Sequence, residues 1–315
     1  MWQPTISIEC LKKRAALTQK VRQFFYERSI LEVDVPILGE APVTDPYLTA
    51  METYCHSYPE TTFYLQTSPE YYMKRLLSAG APSIYYLGKS FRDDERGRLH
   101  SPEFMMLEWY HLGIDDHELM EEVLAVMRLF LGEVPFQKVT YQRAFEQHLQ
   151  LNPHNASAQV LTELVHQYIG PIAGLTQMLR DTALQLLMSE VIEPKFPRDV
   201  VTFIYDFPLS QAALARSKGD VAGRFEVYYQ GVELANGYHE LRDPKTQAER
   251  FAKDLATRQA QNLKIVPVDK KLLAGLEHYF PECSGVALGF DRLLMLALGE
   301  AHIDKVQSFG FNDLG

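Results

Sequence analysis

The sequence predicts an α+β fold, an antiparallel sheet flanked by helices, and three observations carry that expectation. Apolar, aromatic-rich runs follow one another as hairpin partners, as in SIYYLGKSF and EFMMLEWYHLG. Helical patterns stand before and after these runs instead of alternating with each of them, which disfavours βαβ units and a parallel sheet. No GxGxxG or GxxxxGK[ST] loop is present, so a Rossmann or P-loop nucleotide site is not expected.

The elements follow in chain order. Residues 9–28 place Leu11, Ala15, Val21, Phe24 and Phe25 at mixed three- and four-residue intervals among charged residues, the pattern of an amphipathic helix. LEVDVPIL reads as a strand whose Pro36, lacking an amide donor, suits an edge or a chain exit. FYLQT reads as a second strand. Ser68-Pro69-Glu70 then opens a helix with an N-cap, a proline and an acid in the first turn, and that helix stops at Gly80. Residues 116–190 are mostly helical in pattern, broken at Asn152-Pro153 and Gly170-Pro171, and read as an insertion within one domain spanning 1–315. VVTFIYDFP, GRFEVYYQGVELANGYHEL and SGVALGF return to strand character, with the helical KTQAERFAKDLATRQAQ before the last of them, and 290–299 form a short apolar helix.

Composition removes several function classes. A chain of 315 residues that is 46% hydrophobic buries a sizeable core, and its net charge of −10 repels phosphate backbones. The one short basic run, Lys12-Lys13-Arg14, is expected to decorate a solvated helix face. Cys10, Cys55 and Cys283 are odd in number, far apart and without CxxC or Cys/His ligand spacing, so neither a disulfide framework nor a zinc site is expected. There is no leader pattern and no apolar stretch near the roughly 18 residues of a membrane span, so a cytoplasmic protein is expected.

The chemistry concentrates in FRDDERGRLHSPEFMMLEWY, residues 91–110, a charged, Gly-containing loop between two apolar strands. Arg92 and Arg98 share it with Asp93, Asp94, Glu95, His100 and Phe104. Guanidinium forks match phosphate oxygens and the charge that develops at phosphorus, so Arg92 at a strand end suits a phosphate clamp. The blander alternative is a solvated loop of surface ion pairs. Glu226 and Glu233 lie in consecutive Tyr-rich strands, where buried carboxylates need a cation. Magnesium, or a pair of edge salt bridges, meets that need. Glu70 has a local excuse in the helix macrodipole, and Glu240 could be a loop charge.

Phe91-Arg92 followed by His100-Ser101-Pro102-Glu103-Phe104 and Glu108-Trp109-Tyr110 is similar to motif 2 of the class II aminoacyl-tRNA synthetases, in particular the lysyl type. RSILEVDVPIL resembles motif 1 with its dimer-forming helix and strand, and GVALGFDRLLMLALG resembles motif 3, with Gly289 and Arg292. With TSPEYYMKRLL and ELANGYHEL between them, the resemblance covers about residues 10 to 300. It implies a class II catalytic domain with a six- to seven-stranded antiparallel sheet that binds a bent ATP, and a homodimer. It places Arg92 on the α-phosphate, Arg292 near the γ-phosphate and Phe104 on adenine. Asp93, Asp94, His100, Ser101, Leu234 and Gly289 fall near the nucleotide, and Glu226 and Glu233 on Mg2+, Glu233 also touching ATP. Ser68, Pro69, Glu70, Glu108, Tyr110, Asn236, Tyr238, Glu240 and Ala287 match the pocket for a lysine-like amino acid. The implied reaction is attack of the amino-acid carboxylate on the α-phosphorus, releasing pyrophosphate.

Three departures refine this. Motif 1 begins within the first thirty or so residues, with no oligonucleotide-binding barrel or other anticodon-binding domain before it. Together with the acidic balance this disfavours tRNA as acceptor. It points to the stand-alone lysyl paralogues, which attach β-lysine to a lysine side chain of elongation factor P. Ala287 replaces a glycine usual in motif 3, and its methyl narrows the pocket floor against an α-amino group. Asp94 and Ser101 replace the usual glutamate and asparagine of motif 2, which affects individual ATP contacts and not the reaction class. A tRNA-charging or other adenylate-forming enzyme and an amino-acid-sensing paralogue without catalysis are the competing readings. Retention of Arg92, Arg292, Glu226 and Glu233 argues against the sensor.

Overall fold

The computed structural model describes residues 2–93, 95–171 and 178–311. It divides into two compact units, Met1–Gly132 with Leu241–Gly315, and Glu133–Glu240.

In the first unit the helix Ile8–Glu27 starts at Ser7, whose side chain accepts the Cys10 amide, and it buries Cys10, Val21, Phe24 and Phe25. Phe25 stacks on Tyr85 at 4.3 Å between ring centroids and meets Trp109 edge-on at 5.4 Å, which fixes this helix against the sheet. The sheet is built on Ile84–Phe91 and Glu103–Leu112, an antiparallel pair running from Ile84↔Tyr110 to Phe91↔Glu103. Cys283–Gly289 pairs antiparallel with the second of these, Ala287 lying opposite Glu108. Period-two alternation sends Trp109 to the helical layer, where its Nε1 donates to Glu122, and leaves Phe104, Met106, Glu108 and Tyr110 together on the other face. Asp115 and Glu118 form a capping box that starts the helix Asp116–Leu131.

LEVDVPIL does not form one strand. Leu31–Glu32 pairs parallel, with Ile84 and Tyr85. The chain then leaves through a segment containing Pro36, and Leu38–Gly39 joins a separate three-stranded sheet with Thr62–Leu65 and Glu52–Tyr54. The helix after Ser68 runs from Glu70 to Ser78 and ends at Gly80, whose φ of +93° suits glycine. Pro69, not Ser68, is its N-cap. The helices Pro244–Ala260, Lys270–His278 and Phe290–Leu298 complete the unit.

The second unit is organised around the hairpin Val221–Tyr229 and Val232–His239. Its turn residues Gln230 and Gly231 both have positive φ, 54° and 75°, the geometry that matches strand twist in a two-residue turn. Val201–Pro208 pairs antiparallel with the first arm, and Phe136–Thr140 pairs parallel with Val201–Tyr205, so the chain between them makes a helical crossover. That crossover contains Tyr141–Leu149, Ala158–Tyr168 and Arg180–Leu187, then a π turn at Met188–Ile192 and a 3-10 turn at Glu193–Lys195. Tyr141, Phe145, Leu161, Val165, Leu184, Ile204 and Phe207 form its core. Within each unit the strand pairing is mostly antiparallel, as the sequence predicts. The two parallel pairs were not foreseen, because a pairing partner is not encoded in a strand's own alternation. No helix among the described residues is long and apolar enough to cross a membrane.

Candidate active site

Three expected pocket residues of the first unit converge on one carboxylate. Glu108 is 2% exposed, accepts from Ser68 Oγ at 2.7 Å on one oxygen and from Tyr110 OH at 2.8 Å on the other. Ser68 forgoes the N-cap role to do this, while its oxygen still accepts the Glu70 amide at 3.1 Å. Pro69 turns the chain so that Glu70 begins the helix, and Glu70 pairs with Lys74 one turn on, at 2.6 Å. Burial, and next the charge of Glu70, push the Glu108 carboxyl up to about 8, against its two hydroxyl donors and Lys74. Two neighbouring acids thus stand together with the Lys74 ammonium paired to Glu70. An added cation is the group that would let Glu108 ionise at neutral pH. Ala287, directly across from Glu108, contributes only a methyl to the neighbouring surface.

The charged loop closes on itself above the end of this sheet. The Arg92 amide donates to Pro102 O at 2.9 Å, Asp93 N donates to Thr49 O at 2.8 Å, and Gly97 bridges to His100 at the tip. Arg92 lies with its guanidinium carbon 5.2 Å from the centre of the Phe104 ring, while one terminal nitrogen sits 3.4 Å from Glu95. Its buried Nε has no hydrogen-bond partner. Arg292, in the first turn of Phe290–Leu298, donates from Nε to Leu99 O at 3.1 Å. Burial, and then Arg292 and Arg92 acting against Glu95, hold the His100 imidazole below its ordinary value, so both guanidinium groups lie within electrostatic reach of one ring. Ser101 is buried beside it. Gly289 caps the Arg292 helix, and a β-carbon there would meet the Arg292 stem at ordinary contact distance, 3.5 Å. Asp94 lies outside the described residues.

In the second unit a bulge between Val227 and Tyr228 does what alternation cannot. The ladder sets Arg224 against Tyr238, Glu226 against Asn236 and Tyr228 against Glu233, with Leu234 as the extra residue. Glu233 and Asn236, three residues apart, therefore share a face with Glu226. Glu226 accepts from Arg224 and from Tyr228, whose hydroxyl also lies 3.1 Å from Glu193. Burial and then Glu226 and Glu233 push the Glu193 carboxyl up to about 7. Asn236 Oδ1 is buried without a hydrogen-bond partner, and Glu240 is buried in a bridge to Ala215.

The donor set fits magnesium, since Glu226 and Glu233 offer hard oxygens on one face and a carboxylate oxygen that accepts one hydrogen bond keeps a second lone pair. Among the described residues no group of three or more His, Cys, Asp or Glu side chains is arranged around a metal position. Two carboxylates completed by phosphate oxygens and water is the pattern magnesium accepts.

Lys74, Glu193 and Arg224 are the residues that sequence reasoning passed over. Two of them were signalled: Lys74 by its four-residue spacing from Glu70, and Arg224 by alternation with Glu226 and Tyr228 in GRFEVYY. Glu193 arrives from a distant turn and had no local signal.

The family of tRNA synthetases class II (D, K and N) matches residues 5–313. The chain belongs to this family. Within it, a protein of Vibrio cholerae serotype O1 is 48% identical, with 98% of each chain covered, and is named elongation factor P–(R)-β-lysine ligase. Proteins of the same name from Pseudoalteromonas translucida and Salmonella arizonae are each 45% identical, over 98% of this chain and 97% of theirs. The class II match covers both units, and the three motifs read from the sequence lie within it.

Proposed function

We propose that this chain is an ATP-dependent ligase that activates (R)-β-lysine as its adenylate and transfers it to a lysine side chain of elongation factor P. The observation that carries the reading is the pocket around Glu108, where two neighbouring, largely buried acids stand with the Lys74 ammonium paired to Glu70 and the Glu108 carboxyl pushed up, which calls for a cationic amino acid. The names of the relatives supply the acceptor.

In this reading both units belong to one catalytic domain, with the helical segment near 116–190 as an insertion. By the family resemblance, Glu70 and Glu108 orient the ammonium groups of the amino acid, and Tyr110, Asn236, Tyr238 and Glu240 are assigned to the same substrate. Arg92 holds the α-phosphate and Arg292 the γ-phosphate of ATP, Phe104 stacks on adenine, and Asp93, Asp94, His100, Ser101, Leu234 and Gly289 line the nucleotide. Glu226 and Glu233 hold Mg2+, which neutralises phosphate charge when bound. A carboxylate oxygen of the amino acid bonds to the α-phosphorus as the bond to the pyrophosphate oxygen breaks. The acceptor amine then attacks the acyl carbon, AMP leaves, and an amide forms after loss of a proton. The residues position the reactants and neutralise charge, and no protein nucleophile is needed. Motif 1 supports a homodimer, and the net charge of −10 disfavours tRNA.

The test is intact-mass analysis of elongation factor P after incubation with the protein, ATP, Mg2+ and (R)-β-lysine, beside a tRNA control. A mass gain of one β-lysyl group on the factor is expected. No gain on the factor, or charging of tRNA instead, removes the reading.

A further inference from the structure

Arg14 belongs to the basic run that the sequence assigns to solvent. Lys12 and Lys13 are exposed, but Arg14 turns inward and pairs with the buried Asp291. Its Nη1 lies 2.6 Å from Asp291 Oδ1 and 2.8 Å from Val306 O, and its guanidinium carbon lies 5.3 Å from the centre of the Phe290 ring. Asp291 has an ordinary reason to stand in the first turn of a helix, where the macrodipole favours an acid, but that reason leaves a side chain in water. At 1% exposure this carboxylate instead takes three donors: Arg14 on one oxygen, and Met105 N at 2.9 Å and Gln307 Nε2 at 3.0 Å on the other.

The Met105 bond explains the arrangement. The ladder between Cys283–Gly289 and Glu103–Leu112 ends at Gly289↔Met106, so the Met105 amide lies just beyond the last pair of that ladder. Asp291, two residues past the end of the partner strand, puts a carboxylate there. Met105 follows Phe104, and Asp291 precedes Arg292. One side chain therefore sets the spacing between the strand that carries Phe104 and the helical turn that carries Arg292. Gln307 reinforces it by also donating to Glu103 O, at 3.1 Å, and Ile303 N donates to Arg98 O at 3.0 Å in the loop itself.

We infer that Arg14 and Asp291 are positioning residues for the nucleotide: the pair locks the first helix, the start of the Phe104 strand and the Arg292 turn into one arrangement. This rests on the reading that Phe104 and Arg292 receive ATP. The amino-acid pocket is held separately, by Ser68, Lys74 and Tyr110 around Glu70 and Glu108. Loosening the pair therefore acts on one substrate.

The experiment is ATP–pyrophosphate exchange with ATP and (R)-β-lysine varied independently, beside thermal melts, for the unaltered protein, Arg14→Met, Arg14→Lys and Asp291→Asn. Arg14→Met raises KM for ATP by on the order of tenfold or more while KM for the amino acid stays within about twofold. Arg14→Lys recovers most of the loss, since an ammonium can reach both acceptors. If Arg14→Met does not fold, Asp291→Asn, which keeps the shape and loses the charge, is expected to show the same split. Variants that melt earlier yet keep KM for ATP unchanged at a temperature where they are folded would overturn the inference, as would equal rises in both constants. Absence of exchange in the unaltered protein would instead contradict the activation chemistry itself, which separates the two failures.

Discussion

The buried acids of the two units are compensated in opposite ways. In the second unit Glu226 has its own guanidinium, Arg224, and the hydroxyl of Tyr228, so its charge is balanced by the protein. Burial alone would lower the Arg224 guanidinium, yet Glu226 and then Tyr238 and Glu233 hold it above its ordinary value. In the first unit Glu108 has two hydroxyls and a neighbouring acid, with the Lys74 ammonium paired to Glu70. The first arrangement has a cation of its own, Arg224, with carboxylate lone pairs left over for the proposed Mg2+. The second stays incomplete until a cation arrives, which is what a binding site for an amine requires.

Breaking the balanced side is expected to have the largest effect. Arg224→Met leaves Glu226 in low dielectric without its partner, and the loss of unfolding free energy is expected to be about 3–5 kcal/mol, read from urea denaturation. A change under ~1 kcal/mol would mean that the pair is effectively solvated. Breaking the unbalanced side should spare stability and remove function. Glu108→Gln relieves an acid whose raised value already disfavours the fold at neutral pH, so the melting temperature holds or rises. The kcat/KM for amino-acid activation falls by about 2–5 kcal/mol, roughly 30-fold to several thousandfold. Ala287→Gly is a finer probe of the same surface. It is expected to shift the preference between (R)-β-lysine and α-lysine toward α-lysine by about 1–3 kcal/mol in pyrophosphate exchange. An unchanged ratio would take Ala287 out of the specificity argument.

Much of this was legible before the structure. The hairpin 91–110 could be read because aromatic alternation on both sides of a charged loop has few other solutions, and the arms of the second-unit hairpin were similarly clear. The bulge was not legible. Strict alternation puts Glu233 and Asn236 on opposite faces, and only the extra Leu234 brings them together. LEVDVPIL has strand composition throughout, but its partner strand accepts only the first residues. Arg14 departs from the solvated-face expectation: its neighbours in sequence are solvated lysines, but it lies four and seven residues from the buried Cys10 and Val21, on the stripe that faces inward. Charge runs report composition, whereas helical spacing reports direction, and here spacing was the better guide. Glu193 depended on a turn more than thirty residues from its partner Tyr228, a distance that no local pattern spans.

The difference between the two acid clusters has a direct reading in protons. A carboxyl raised to about 8 carries its proton at pH 7 in the free protein and loses it when an ammonium docks beside it, so binding releases a proton and affinity rises with pH until about 8. Calorimetric titration of (R)-β-lysine at pH 7, in two buffers of different ionisation enthalpy, measures that number. The account predicts release approaching one proton per site, abolished in Glu108→Gln. Binding with no proton release in the unaltered protein, or with the same release after the substitution, would contradict it.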